Sequence, residues 1–219
     1  MMEKFLAKVP LFQAIPSTRL SALGKTAELR RFRKGETLFE ERTPAESVWV
    51  IQRGWVYLVK RTPSGMPATI FTVTPEEVLC GFSAVTGRGA YYASAVAATD
   101  TTAICLPRGE FAKLLRSEAG FAERVLALYH TRMRHMAQMI SLTSSPVEQR
   151  LAYTLLRLRT TFGSTIPVTH HELAQMAGTR WETSIRTISS FKRKRWLSTS
   201  RGKMTILQPN RLNAVLNAT

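Results

Sequence analysis

The stretch VTHHELAQMAGTRWETSIRTISSF, residues 168–191, reads as two short helices joined by a glycine turn. Thr169 stands at an N-cap position and Glu172 follows three residues later, the spacing of a capping box. Leu173, Met176 and Ala177 recur at helical intervals, and Gly178 supplies the left-handed residue that a tight turn needs. Thr179 is expected to cap a second helix with Ile185, Ile188 and Phe191 inward. Arg180, Trp181, Glu182, Ser184 and Arg186 project between them. That is the plan of a helix-turn-helix, whose second helix enters the DNA major groove and presents its first residues to base edges. A helical hairpin with solvated charges has the same pattern, so the motif alone does not separate the two.

Charge separates them further. The chain has 31 Lys+Arg against 15 Asp+Glu, a net charge of +16. The excess is uneven: residues 146–219 contain three acids, Glu148, Glu172 and Glu182, against twelve bases. A surplus of that density suits phosphate neutralisation with counterion release. No basic amphipathic helix with a broad apolar face supports a membrane-surface reading. Behind the second helix, Lys192 to Arg195 form a basic run, residues 196–199 and 204–207 read as strands, and residues 200–203 as their turn. This hairpin is a wing, with Arg201 and Lys203 at its tip reaching phosphates, which position a protein without reading sequence.

At 219 residues, one large or two small domains are expected, and 44% hydrophobic content supports real cores. Two cysteines, Cys80 and Cys105, make neither a disulfide framework nor a zinc site and read as buried thiols. The first residues do not read as a signal peptide, no run of about 18 apolar residues is found, and the expected location is the cytoplasm. After a helix at 17–27 with Leu20 and Leu23 inward, short strands follow at 28–32, 37–39, 47–52, 55–60 and 68–73, with two more within 93–106. Gly and Pro punctuate them, which indicates an antiparallel sandwich or barrel.

A long helix is expected at 121–142, about six turns. Leu126, Tyr129, Met133, Met136 and Ile140 fall at alternating three and four spacing, a heptad seam. Val125, Leu128 and Met139 form a second apolar flank that can pack on the strands. A helix apolar on two sides needs two partners: the strand domain, and most simply the same helix of a second chain. Burial between two domains of one chain is the competing arrangement. Ser144-Ser145-Pro146 ends the helix as a hinge, and a helix at 147–161 begins the last domain. The expected division is 1–116 for the strand domain, 117–145 for dimerisation helix and hinge, and 146–219 for the DNA-binding domain.

In this order the chain resembles the Crp/Fnr superfamily of bacterial transcription regulators over nearly its whole length. The matching landmarks are Val9-Pro10-Leu11-Phe12, Lys34-Gly35-Glu36, Val50-Ile51-Gln52-Arg53-Gly54 and Leu106-Pro107 to Phe111. In the last domain they are Thr169, Glu172-Leu173-Ala174, Gly178, Glu182-Thr183 and Arg186. The resemblance implies an α+β fold with an N-terminal cyclic-nucleotide-binding-like antiparallel β-barrel (a jelly roll, or double-stranded β-helix). It also implies a long dimerisation helix, a C-terminal winged helix-turn-helix, and double-stranded DNA and RNA polymerase as partners.

The family's cyclic-nucleotide site is where the chain departs. Members that bind cyclic AMP carry Gly-Glu-Leu, then Arg-Ser or Arg-Thr about ten residues on, for the ribose hydroxyl and the cyclic phosphate. Here the matching stretches are Cys80-Gly81-Phe82 and Tyr91-Tyr92, Arg88 lies three residues early, and His135-Met136 replace the threonine-serine pair that contacts adenine. A buried phosphate needs a charged or amide-rich partner. Control by cyclic AMP is therefore not expected. Phe71, Cys80, Gly81, Phe82, Tyr91, Tyr92 and His135 instead outline an effector pocket suited to an apolar or aromatic molecule, with plain aromatic core packing as the competing reading. Iron–sulfur sensing needs four cysteine ligands, and haem through His130 or His135 rests on a lone helical histidine. The strand domain has no His/Glu metal cluster and no nucleophile motif, so no cofactor, metal or catalytic residue is expected.

Base reading falls to Glu182, Arg186 and Trp181. Glutamate accepts from cytosine N4 and arginine clamps guanine O6 and N7. Glu182 and Arg186 are i and i+4, on one face of the helix, and match the family's glutamate and arginine. Cyclic-AMP-type regulators carry arginine just before that glutamate, where this chain has Trp181; the redox-sensing branch carries serine before the final arginine, where it has Ile185. The operator is thus expected to be neither standard half-site, with Trp181 either on a thymine methyl or packed on the wing. Phosphate contacts are expected from Thr169, His170, Thr179, Arg180, Lys192, Arg201 and Lys203. The chain reads as a non-enzymatic, homodimeric regulator that binds a near-palindromic operator and is not controlled by cyclic AMP. The alternative is a small-molecule-sensing module whose basic tail docks to a protein or membrane.

Overall fold

Four consecutive buried residues, Val48, Trp49, Val50 and Ile51, show that their strand is covered on both faces. The computed structural model, which describes residues 2–61, 67–79 and 89–217, shows what covers it. The chain divides into two units, Met1–Arg132 and Met133–Thr219. The N-terminal unit opens with helix α1 (Met2–Leu6), a 3-10 turn (Pro10–Phe12) and α2 (Ser17–Thr26). Strands β1 (Glu28–Phe32), β2 (Thr37–Phe39), β3 (Ser47–Arg53), β4 (Val56–Arg61), β5 (Pro67–Val73), β6 (Val78–Leu79), β7 (Ser94–Ala97) and β8 (Thr101–Pro107) follow. Helices α3 (Arg108–Ser117) and α4 (Ala119–Ser141) come next, and α4 runs on past the division between the units.

The strands form two antiparallel four-stranded sheets, β1-β8-β3-β6 and β2-β7-β4-β5. This is the strand order of a double-sheet jelly roll. Among the described residues the sheets do not close into the expected barrel; they face each other across a shared core. Trp49 and Ile51 of β3 meet Leu38, Phe39, Val56, Leu58, Phe71 and Val73 of the other sheet there. The opposite side of β3, Val48 and Val50, packs with Ile104 and Leu106 of β8 against Phe12, Leu20, Leu23, Phe111, Phe121 and Val125 from the helical elements. Helix, sheet and sheet thus stack as three layers, and the middle layer loses the polar alternation of a half-exposed strand. Gly54 (φ 76°) follows β3 where a Cβ would lie 2.5 Å from the Asp100 carbonyl, so only glycine fits. Cys105 is a buried free thiol in the inter-sheet core; Cys80 lies outside the described residues.

On α4, Val125 is buried in the core of the N-terminal unit and Leu128 packs against it, as the second apolar flank requires. Among the described residues the heptad seam is exposed: Leu126 is 67%, Met133 69% and Ile140 68% accessible. Tyr129 differs from the rest of the seam, being half-buried against the same core as Val125.

The C-terminal unit holds α5 (Val147–Phe162), β9 (Thr165–Ile166), α6 (His170–Met176), α7 (Trp181–Arg193), β10 (Leu197–Ser200), β11 (Lys203–Ile206) and α8 (Pro209–Leu216). Helix α5 packs on α6, α7 and α8, burying Leu151, Leu155 and Leu158 with Leu173, Ile188, Phe191 and Leu212. The wing hairpin β10–β11 gains a third strand, since Ile166 of β9 pairs with Met204. The short strands β6 and β9, each of two residues, escape any periodicity test because they are defined only by their partners. No helix among the described residues is long and apolar enough to cross a membrane.

Candidate nucleic-acid interface

Helix α6 begins with the capping box that its sequence spells. Thr169 Oγ1 accepts from the Glu172 backbone N–H at 3.2 Å, and Glu172 Oε2 accepts from the Thr169 backbone N–H at 2.8 Å. Such a cap contributes about 1 kcal/mol to helix stability. The Thr169 hydroxyl also donates to Glu172 Oε2 at 2.8 Å, so of the expected phosphate contacts this residue has its donors already committed. Gly178 takes φ +58° in the turn. Its carbonyl accepts a 2.7 Å bond from the Arg150 guanidinium of α5, a brace that no local sequence signal reveals.

Thr179 is not the cap of the second helix. Arg180 occupies the N-cap with extended geometry and no side-chain cap bond, and α7 starts at Trp181. Leaving the left-handed Gly178, the chain spends one further residue before turning into the helix. Glu182 then lies in the first turn, where a carboxylate complements the helix dipole. Ser184, Thr187, Ile188 and Phe191 are buried, while Trp181, Glu182 and Arg186 are exposed. Among the described residues no ion pair joins Glu182 to Arg186; the arginine makes only a 3.5 Å contact to Thr183 Oγ1. Both side chains point to solvent on the same face.

Around them the charge is nearly all positive. Arg180, Arg186, Lys192, Arg193, Lys194, Arg195, Arg201 and Lys203 are all exposed, and Glu182 is the one acid between residues 180 and 203. Lys194 also lies 4.6 Å over the ring of Trp196, which packs on Phe191. Arg195 (φ 58°) turns the chain off α7, and Gly202 (φ 69°) turns the wing between Arg201 and Lys203. His170 is half-buried, and burial first, then Lys192, hold its imidazole below the usual value. His171 beside it is the exposed one.

Of the residues expected to outline an effector pocket, Phe71, Tyr91 and Tyr92 are described in the N-terminal unit, and they differ in their surroundings. Phe71 and Tyr91 belong to the inter-sheet core, where Tyr91 stacks on Phe39 at 3.9 Å, donates to the Ser47 carbonyl at 3.1 Å and accepts from the Trp49 indole at 3.3 Å. Tyr92 instead is 50% exposed, with its carbonyl bonded to Lys60. Cys80, Gly81 and Phe82 lie outside the described residues. A cation the sequence reading passed over, Arg132, sits 5.4 Å over the Phe71 ring and donates to the Val78 carbonyl.

His135 belongs to the C-terminal unit and is spent there. Its Nδ1 lies 2.6 Å from Tyr153 Oη and its Nε2 3.4 Å from Arg157 Nη1, and its ring stacks on Tyr153 at 5.5 Å. Arginine only donates, so Nε2 is the acceptor and Nδ1 carries the proton. Protonating Nε2 would set a second cation against the guanidinium. Burial, then Arg157, push this histidine down to about 4. Because the unfolded value is near 6.5, the unfolded chain binds the extra proton first as pH falls. The stabilisation is present above pH 6.5 and is lost between 6.5 and about 4. After discounting for partial solvent exposure, it amounts to about 1–2 kcal/mol. Denaturant unfolding at pH 7 and pH 4.5 is expected to show that wild type loses more stability than His135→Gln; equal losses would remove this assignment.

Comparison with known proteins gives matches of both units. Residues 29–118 match the cyclic nucleotide-binding domain family, and residues 149–215 match the Crp-like helix-turn-helix domain family. The chain is similar to the CRP-like cAMP-activated global transcriptional regulator of Mycobacterium tuberculosis, 24% identical over 220 residues, covering 96% of this chain and 98% of the relative. It is similar also to the cyclic AMP receptor protein of Thermus thermophilus, 29% identical over 181 residues, covering 82% of this chain and 83% of the relative. The structure of FixK2 from Bradyrhizobium japonicum shares its fold, with a TM-score of 0.78 at 20% identity over 88% of this chain and 98% of that one.

Proposed function

This chain belongs to the Crp/Fnr superfamily of transcription regulators and carries its helix-turn-helix DNA-binding domain, and we propose that it acts as a homodimer on a near-palindromic operator. The observation that carries the proposal is the open face of α7, where Glu182 and Arg186 stand exposed and unpaired with each other amid seven further exposed cations. In this reading Glu182 and Arg186 hydrogen-bond to base edges, and Trp181 stands beside them. Arg180, Lys192, Arg201 and Lys203 hold phosphates, with Thr179 and His170 as further donors. Two copies joined through Leu126, Met133, Met136 and Ile140 set the recognition helices about 34 Å apart, one turn of DNA. RNA polymerase is the partner that a regulator of this type addresses, and no catalytic residue or cofactor is assigned. The alternative of a basic tail that docks to a protein or membrane is not favoured, because that tail is the matched helix-turn-helix.

Selection of sites from random duplex, followed by mobility shifts at physiological salt with competitor DNA, tests the proposal. Enrichment of a two-fold symmetric site supports it; binding without sequence preference overturns it.

We further propose that operator binding does not depend on cyclic AMP. Two relatives bear cyclic AMP in their names, which favours the opposite reading. Against it, Cys80-Gly81-Phe82 and Tyr91-Tyr92 stand where cyclic-AMP binders of the family carry the glutamate and the arginine, and Tyr91 is locked into the aromatic core. Affinity for the selected operator is expected to change less than twofold on adding the nucleotide. A tightening of about tenfold would reverse this conclusion.

A further inference from the structure

Resting on the DNA-binding reading above, we propose that Trp181 and Ile185 form an apolar edge of the recognition helix that contacts the 5-methyl group of thymine in each operator half-site. Trp181 is the first residue of α7 and is 50% exposed. The other three tryptophans are accounted for within the chain: Trp49 and Trp55 are 3% and 2% exposed, and Trp196 packs on Phe191 under Lys194. Trp181 stacks on no other ring among the described residues, and half of its surface stays open to solvent. Ile185 lies one turn further on and is half-buried, while Ser184, Thr187 and Ile188 turn inward. The two side chains, at i and i+4, therefore form a short apolar row beside the row of Glu182 and Arg186.

The surroundings choose the occupant. With Arg180 immediately before Trp181 and seven more exposed cations through the wing, this face suits a polyanion and repels a basic or purely apolar partner. An indole ring cannot take a phosphate oxygen as a cation does. Within a major groove, the apolar knob that a duplex offers is the thymine methyl, which lies at the same depth as the edges that Glu182 and Arg186 reach. Trp181 is thus a specificity-determining residue, and it selects a T·A pair next to the pair that Glu182 reads.

The test uses the intact protein and the operator obtained by selection. Each thymine is replaced in turn by deoxyuridine, which removes the methyl and leaves the pairing edge unchanged. Wild type is expected to lose about fourfold per half-site at one thymine, the worth of one buried methyl group, and more than tenfold when both symmetric positions are changed. Trp181→Ala is expected to bind more weakly overall and to be indifferent to uracil at that position, so that the two changes do not add. Ile185→Ala reduces the same penalty. Uracil without effect at any position, or an undiminished uracil penalty in Trp181→Ala, overturns the inference while leaving sequence-specific binding intact. Loss of all sequence preference by wild type defeats the DNA-binding reading itself, and this inference with it.

Discussion

A protein carrying Met133→Glu and Ile140→Glu is expected to sediment as a monomer and to lose about 10²–10⁴ in operator affinity, the avidity that a second tethered half-site contributes. Both side chains are more than two-thirds exposed in the single chain, so the substitutions leave the protomer core untouched. Across a two-fold axis each glutamate would face its own copy or a neighbour of like charge, in place of an apolar contact. The monomer should keep its thermal unfolding transition and a weak affinity for an isolated half-site. A variant that stays dimeric, or a monomer that grips the full operator as tightly as wild type, would show that the α4 seam is not the interface.

Arg186→Ala is expected to weaken binding to the operator by about 1–3 kcal/mol and to flatten the preference for one base pair in each half-site. The side chain is exposed and makes no ion pair with Glu182, so its loss perturbs neither the helix nor the core. Alanine is moreover the best helix former at that position. Lys203→Ala at the wing tip serves as contrast: it should weaken all sequences alike and lower the salt slope by about one. Competition against single-base variants of the operator checks both. Arg186→Ala discriminating among them as sharply as wild type would sink the base-reading role.

Much of the C-terminal unit was legible because its signals are local. A capping box is four residues long, a left-handed glycine announces itself, and a 3.6-residue repeat over α7 separates its buried from its exposed side. Thr179 was misplaced as a cap because the exit from Gly178 takes one more residue than the motif suggests, a matter of backbone geometry that composition does not encode. The brace from Arg150 to the Gly178 carbonyl was invisible for another reason: its two ends lie 28 residues apart, and nothing in either segment refers to the other. The same holds for His135, Tyr153 and Arg157. The family resemblance sets His135 among the effector residues, and nothing in its own segment announces its hydrogen bonds to α5.

Although β6, β9, α3 and α8 were not legible in it, the amino-acid order alone determined the longer helices and strands, that one helix carries an apolar seam in heptad spacing, and that the last third is a basic winged helix-turn-helix. These follow from periodicity, capping and charge, properties that a segment has before it meets any other. Tertiary structure alone decided that the eight strands form two facing sheets rather than a closed barrel, that Tyr91 is buried while Tyr92 is exposed, that His135 bonds to Tyr153 and Arg157, and that Trp181 stands open while Trp196 is packed. Each of these depends on which distant surfaces compete to bury the same apolar area, and that competition is settled only when the whole chain has folded.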